Sequence, residues 1–144
     1  MKPFYDLTEE ENNQLLLLPV YISLQALNNG NSHGDNALEE AVRFAHIKTF
    51  SCDPLLIPYY REVDHHFADA IERLNRELPE NTAARSAAID KELEVIDRIV
   101  CKLNQQYVGV IHRSMQSFGD HVAKAQHSVL SNFVLPMPMP GLDI

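Results

Sequence analysis

Residues 15–27 read LLLLPVYISLQAL, the longest apolar run in the chain. Its 13 residues fall short of the ~20 that a membrane-crossing helix needs. Apolar residues fall on nearly every face, so the run predicts a helix enclosed by its neighbours rather than a surface helix with one apolar stripe. Any fold this chain adopts must therefore surround that segment with other elements. The chain is 144 residues long, enough for one domain with a sizeable core. Gly is sparse, at 5 residues, and the polar segments carry helical patterning. The fold class predicted is all-α: a single-domain bundle of about five helices.

Charge narrows the partners. Twenty acidic residues against 12 basic ones give a net charge of −8. That field repels phosphate backbones and anionic membranes unless basic residues cluster, and here they are scattered. Nucleic acid and a membrane span are therefore not expected. The start, MKPFYDLTEEE, lacks the apolar core of a signal peptide. Cys52 and Cys101 share no motif spacing and read as reduced, buried thiols. A cytoplasmic location is the resulting expectation.

Helix signals follow in order. Thr8 and Glu11 form a capping box, and the acidic triplet suits the positive end of a helix dipole. The first helix is expected over about 8–28, bent where Pro19 removes a backbone donor. A Gly- and Asn-rich loop follows. A second helix spans about 36–50, with Asn36 and Glu39 as its capping box. Asp53 caps a third helix over about 54–77, with Pro54 at the first position and a disturbance expected at Pro58. A fourth helix starts near Thr82. Tyr107, Ile111, Met115, Phe118, Val122, Ala125, Val129 and Phe133 recur at three- and four-residue steps, predicting a last helix over about 105–134 with Gly119 as a kink. The helical domain thus covers 1–134. Residues 135–144, LPMPMPGLDI, form a Pro/Met-rich tail that the alternating prolines hold extended, either as a strap over the domain's own core or as a ligand for a partner protein.

Two constellations carry metal-ligand chemistry. Glu62, His65, His66 and Asp69 stand at helical spacings that share one face, where carboxylates and imidazoles can hold a divalent metal. The apolar stripe of that helix points the other way, so a solvated polar face is the competing reading. The second is the loop 29–40. On a calcium-loop frame, Asn29, Asn31 and His33 take the first ligand positions, Gly34 the turn and Glu40 the last. Carboxylates are few for a hard cation, which favours a plain turn held by Asn and Gly. No nucleophile–base arrangement or phosphate-binding glycine loop appears.

Leu7-Thr8-Glu9-Glu10, the run 16–23, the Gly-containing turn, Glu39-Glu40-Ala41 and Ala45-His46-Ile47-Lys48-Thr49 resemble the TerB-like group of tellurite-resistance proteins and their bacterial relatives. The resemblance covers mainly the first 50 residues. It implies an all-helical bundle, a cytosolic setting and a link to stress responses. It also implies acidic metal ligands near the turn. Here His33-Gly34 stands where that group has Asp-Gly, which leaves Asp35 and Glu39 as the matching acidic positions. The reading taken forward is a non-enzymatic binding or structural module acting on a protein partner or a second copy of itself. The rivals are a metal-dependent protein using the Glu62/His65/His66/Asp69 face and a small-molecule bundle with its pocket between the bent first helix and Tyr59/Tyr60.

Overall fold

A computed structural model of the chain describes residues 4–30 and 35–134. The tail 135–144 and the loop positions 31–34 lie outside the described residues, and with them the strap and the His33-Gly34 turn. Among the described residues there are six α-helices, one 3-10 turn and no strand. The helices are α1 (Glu9–Leu16), α2 (Leu18–Asn29), α3 (Asp35–Ser51), α4 (Ile57–Glu77), α5 (Thr82–Val100) and α6 (Gln105–Val134), with the 3-10 turn Pro54–Leu56 leading into α4. The all-α bundle expected from the periodicities is the fold observed. Counting α1 and α2 as one interrupted helix, it makes five passes. No described helix is long and apolar enough to cross a membrane.

The interruption lies at Leu17, just before the proline. Pro19 is the second residue of α2, where no backbone donor is needed. In a continuous helix its N–H would have reached the Leu15 carbonyl, one turn back. With that bond missing, α1 closes as the Leu17 N–H turns to the Gln14 carbonyl (3.0 Å), and the Tyr21 N–H restarts the ladder on Leu17 (3.0 Å). The orphaned Leu15 carbonyl is fully buried. It accepts instead from the Tyr59 hydroxyl of α4, at 2.7 Å. A side chain 44 residues away thus completes the break that Pro19 creates.

The other termini follow local chemistry. Thr8 and Glu11 form both halves of their capping box at α1. Asp53 Oδ1 accepts from the Leu55 N–H (2.9 Å), Asn81 Oδ1 from Ala84 (2.9 Å) and Asn104 Oδ1 from Gln106 (3.0 Å). Pro58 falls in the first turn of α4 and disturbs nothing. Asn36 does not cap as expected: α3 already includes it, having begun at Asp35.

α2 is the central element, packed most extensively on α6 and α5 and next on α4. Val20, Leu24 and Leu27 are buried, whereas Ile22, expected inside, is half-buried. Gly119 explains its position. A Cβ there would lie 3.1 Å from Ile22 Cγ2, so the bare glycine backbone lets α6 close on α2. α6 continues as helix through it. Around this contact Phe118 stacks parallel to Tyr60, at 6.5 Å between centroids, and lies 6.0 Å from Phe67. α3 forms an outer layer across α4 and α6, with Phe44 edge-on to Phe118 at 4.8 Å.

Among the described residues one charged side chain is enclosed. Arg85, in the first turn of α5, is 3% exposed. Its guanidinium donates to the Asn75 carbonyl (3.3 and 3.2 Å), the Asn75 side chain and the Pro79 carbonyl (3.2 Å). These acceptors belong to the end of α4 and the turn beyond it, where carbonyls lack helical partners and a cation is favoured. Arg85 therefore ties the end of α4 to the start of α5.

Two outcomes are expected. Tyr59→Phe leaves the buried Leu15 carbonyl unpaired and costs about 1–3 kcal/mol in urea unfolding. Pro19→Ala restores a backbone donor to that carbonyl, so the cost of Tyr59→Phe should shrink in the Pro19→Ala background. Equal costs in both backgrounds would show that the phenol and the proline are unrelated. The second outcome concerns pH. The Lys102 ammonium, with the Thr8 N–H second, holds the Glu11 carboxyl below its ordinary value. Its stabilising contribution is complete above the unfolded carboxyl pKa and is lost as pH falls through the lower folded value. Carboxyl NMR should find the Glu11 midpoint low, and Lys102→Met should move it up.

Candidate functional site

α4 carries Glu62, His65, His66 and Asp69 on its outer side, as the spacing predicts. Glu62 is half-buried and the other three are exposed. His66 Nε2 stands 4.0 Å from Glu62 Oε1, while the His65 and His66 rings lie 6.4 Å apart. Neighbouring residues on a helix diverge by about 100°, so His65 leaves the side that His66 and Glu62 share. Among the described residues no three His, Cys, Asp or Glu side chains stand close enough to hold one ion. The four residues thus lie on the outer side of α4, and Glu62 and His66 are the pair that approach each other. Asp35 opens α3, and Glu39 lies one turn further on, exposed.

Closer imidazole–carboxylate contacts occur across helices. His46 Nδ1 of α3 lies 2.9 Å from Asp64 Oδ2 of α4. His112 Nε2 of α6 lies 3.1 Å from Asp97 Oδ1 of α5. His121 of α6 stacks on Phe44 of α3 at 3.7 Å, with Lys48 5.8 Å from the same ring. No sequence spacing marks these contacts, because each joins two helices.

The pocket expected near Tyr59 and Tyr60 is filled. Tyr59, Tyr60, Leu15 and Leu56 are all buried. Both phenols bond within the protein, Tyr59 to Leu15 and Tyr60 to the Ser114 hydroxyl at 2.6 Å. Burial pushes both phenols far above their ordinary range, so neither ionises near neutral pH. Burial also raises the half-buried Cys52 thiol. Cys101, expected inside, is exposed, because it caps the end of α5 at the surface.

An open recess lies elsewhere, on the outer face between α3 and α4. It is a groove of about 770 Å³ with Leu38, Val42, Ala68 and Ile71 among its lining. Glu39 and Arg43 edge it from α3, and Glu72 and Arg76 from α4. Arg43 pairs with Glu40 (3.3 Å) and Arg76 with Glu72 (2.9 Å). The two walls carry the same pattern: Leu38-Glu39-x-x-Val42-Arg43 on α3 and Ile71-Glu72-x-x-Asn75-Arg76 on α4. The helices run antiparallel, and the His46–Asp64 contact sets their register. Counting an equal rise from it brings Glu39 and Glu72 to about the same height on opposite walls. Arg43 then lies toward the His46–Asp64 end and Arg76 toward the start of α3. The groove thus has an approximate two-fold symmetry in its charges.

Comparison of the chain with known protein families, curated proteins and solved structures gives no match.

Calcium provides a check on the acidic residues nearest the turn. Glu39 and Glu40 diverge by about 100° on α3, and hard cations prefer six to eight oxygens, several of them charged. Calorimetric titration with Ca²⁺ at neutral pH should be flat. A saturable heat abolished by Glu40→Gln would overturn this.

Proposed function

We propose that the protein is a non-enzymatic, TerB-like helical module that works by docking a protein on the outer face formed by α3 and α4. The carrying observation is the groove itself. It combines an apolar lining with charged edges, the arrangement by which a helix is received on a protein surface. The buried phenols Tyr59 and Tyr60 are hydrogen-bonded within the protein, and burial raises them and the half-buried Cys52 thiol above their ordinary values. Kinship with the TerB-like group rests on the motifs within residues 7–49, and a role in stress response follows from that kinship alone. Two free thiols, one of them exposed, agree with a reducing compartment such as the cytoplasm.

A photo-reactive residue placed at the exposed Ala68 tests the docking face in living cells. One dominant protein adduct is expected, with loss of that adduct when Val42 is changed to Asp. The same probe at exposed Glu92 of α5 should give no such adduct. Equal labelling from Ala68 and Glu92 would refute the assignment of the face.

A further inference from the structure

We infer that Asn29 is a site of spontaneous covalent modification: its side-chain amide is lost to attack by the Gly30 backbone nitrogen, which leaves aspartate and isoaspartate at the end of α2. The site is independent of the α3–α4 face and of whatever that face binds.

The chemistry needs an asparagine amide, a following backbone nitrogen that can reach it, and a segment able to turn. Asn29-Gly30 is the one Asn-Gly step in the chain. Glycine in the second place leaves the approach open, because it has no Cβ beside its nitrogen and its backbone turns at little steric cost. The Gly30 nitrogen, on giving up its proton, attacks Asn29 Cγ. A C–N bond forms, the Cγ–Nδ2 bond breaks, and Nδ2 leaves with that proton as ammonia. The product is a five-membered succinimide. Water then adds to one of the two ring carbonyls and opens the ring. Cleavage at Cγ yields aspartate. Cleavage at the backbone carbonyl carbon yields isoaspartate, in which the chain runs through Cγ. No electrons are transferred, and solvent water is the co-reactant.

The fold selects the same residue. Other asparagine side chains are held by partners. The Asn12 amide donates to the Phe4, Leu7 and Thr8 carbonyls, and the Asn28 amide donates to the Thr82 carbonyl at 3.1 Å. Asn75 is held by Arg85, and Asn81 and Asn104 cap helices. Asn29 is exposed and is the last residue of α2, with Gly30 as the C-cap. The Gly30 N–H donates to the Ala26 carbonyl at 3.3 Å, longer than the ~2.7–3.2 Å usual for such bonds. Helix ends fray, and the opening of this single turn brings the Gly30 nitrogen within reach of Asn29 Cγ.

The product alters the end of α2. It places a carboxylate on the last residue of a helix, where the carbonyls already concentrate negative charge, in a chain whose net charge is −8. Isoaspartate also lengthens the backbone by one carbon at the exit from α2. Asn28, the neighbour of the modified residue, ties α2 to the start of α5 through the Thr82 carbonyl. The modification therefore loosens the seam between these two helices as the protein ages.

Mass spectrometry of the full purified chain, stored warm at mildly acidic and at mildly alkaline pH, tests the inference. The mass gain of an amide-to-acid exchange should accumulate at Asn29, with isoaspartate among the products and ammonia released in step. It should be faster at alkaline pH, because the Gly30 nitrogen must first lose its proton. Gly30→Ala should slow it at least about tenfold. Gly30 has φ −95°, a backbone that alanine adopts, and far-ultraviolet circular dichroism checks that the variant stays folded. Asn29→Gln should also slow the loss, since its longer side chain would have to close a six-membered ring. An Asn29 amide that stays intact while other asparagines are converted overturns the inference. So does a rate equal at both pH values, or one unchanged by Gly30→Ala.

Discussion

The hydrogen bond from Tyr59 to the Leu15 carbonyl joins the two parts of the structure that the sequence keeps furthest from agreement. The apolar run needs a helix, and Pro19 forbids a continuous one. Breaking the helix leaves a buried carbonyl without a partner, which in a dry interior costs as much as losing a hydrogen bond outright. The phenol of α4 meets that need, and in doing so fixes α4 against the α1–α2 junction. Neighbouring aromatics reinforce the same point. Phe4 approaches Tyr59 at 6.0 Å and Tyr107 at 5.1 Å, bringing the N-terminal segment and α6 to the junction. Tyr60 turns the other way to Ser114 of α6. Two adjacent tyrosines thus register α4 against the central helix on one side and the last helix on the other.

That division of labour uses both tyrosines in the fold itself. Tyr59 donates to the Leu15 carbonyl, Tyr60 and Ser114 share a hydrogen bond, and Arg85 is committed to the end of α4. The layer outside the core is α3. It covers α4 and α6 while α2 is the element the other helices surround, and its outer face keeps the groove, the exposed Ile47 and the loosely paired charges.

The periodic parts of the fold were legible in the sequence. Stripes at three- and four-residue steps give α4, α5 and α6 nearly to their ends, and Thr8, Asp53 and Asn81 cap where short polar side chains precede an apolar repeat. The misreadings have a common cause, which is that a sequence displays neighbours along a helix but not across helices. Pro19 is visible as a break, yet the tyrosine that makes the break tolerable is 40 residues away. Gly119 reads as a kink, whereas its missing side chain admits Ile22 of another helix. The contacts His46–Asp64 and His112–Asp97 likewise join separate helices and have no mark in the sequence. The groove was invisible for the same reason. Its two walls come from segments about 30 residues apart, and their matching Glu-x-x-x-Arg patterns acquire meaning only when α3 and α4 lie antiparallel.

Such a repeated pattern has a physical consequence beyond local pairing. On one helix, Glu followed four residues later by Arg contributes a few tenths of a kcal/mol through its own ion pair. On two antiparallel helices flanking a groove, the same pattern brings Glu39 and Glu72 to one height and sets Arg43 and Arg76 toward opposite ends. An exposed pair gains little from staying with its own helix, because solvent screens it. The pairs Arg43–Glu40 and Arg76–Glu72 therefore add little to the fold, and their charged ends stay open to solvent at the rim of the groove.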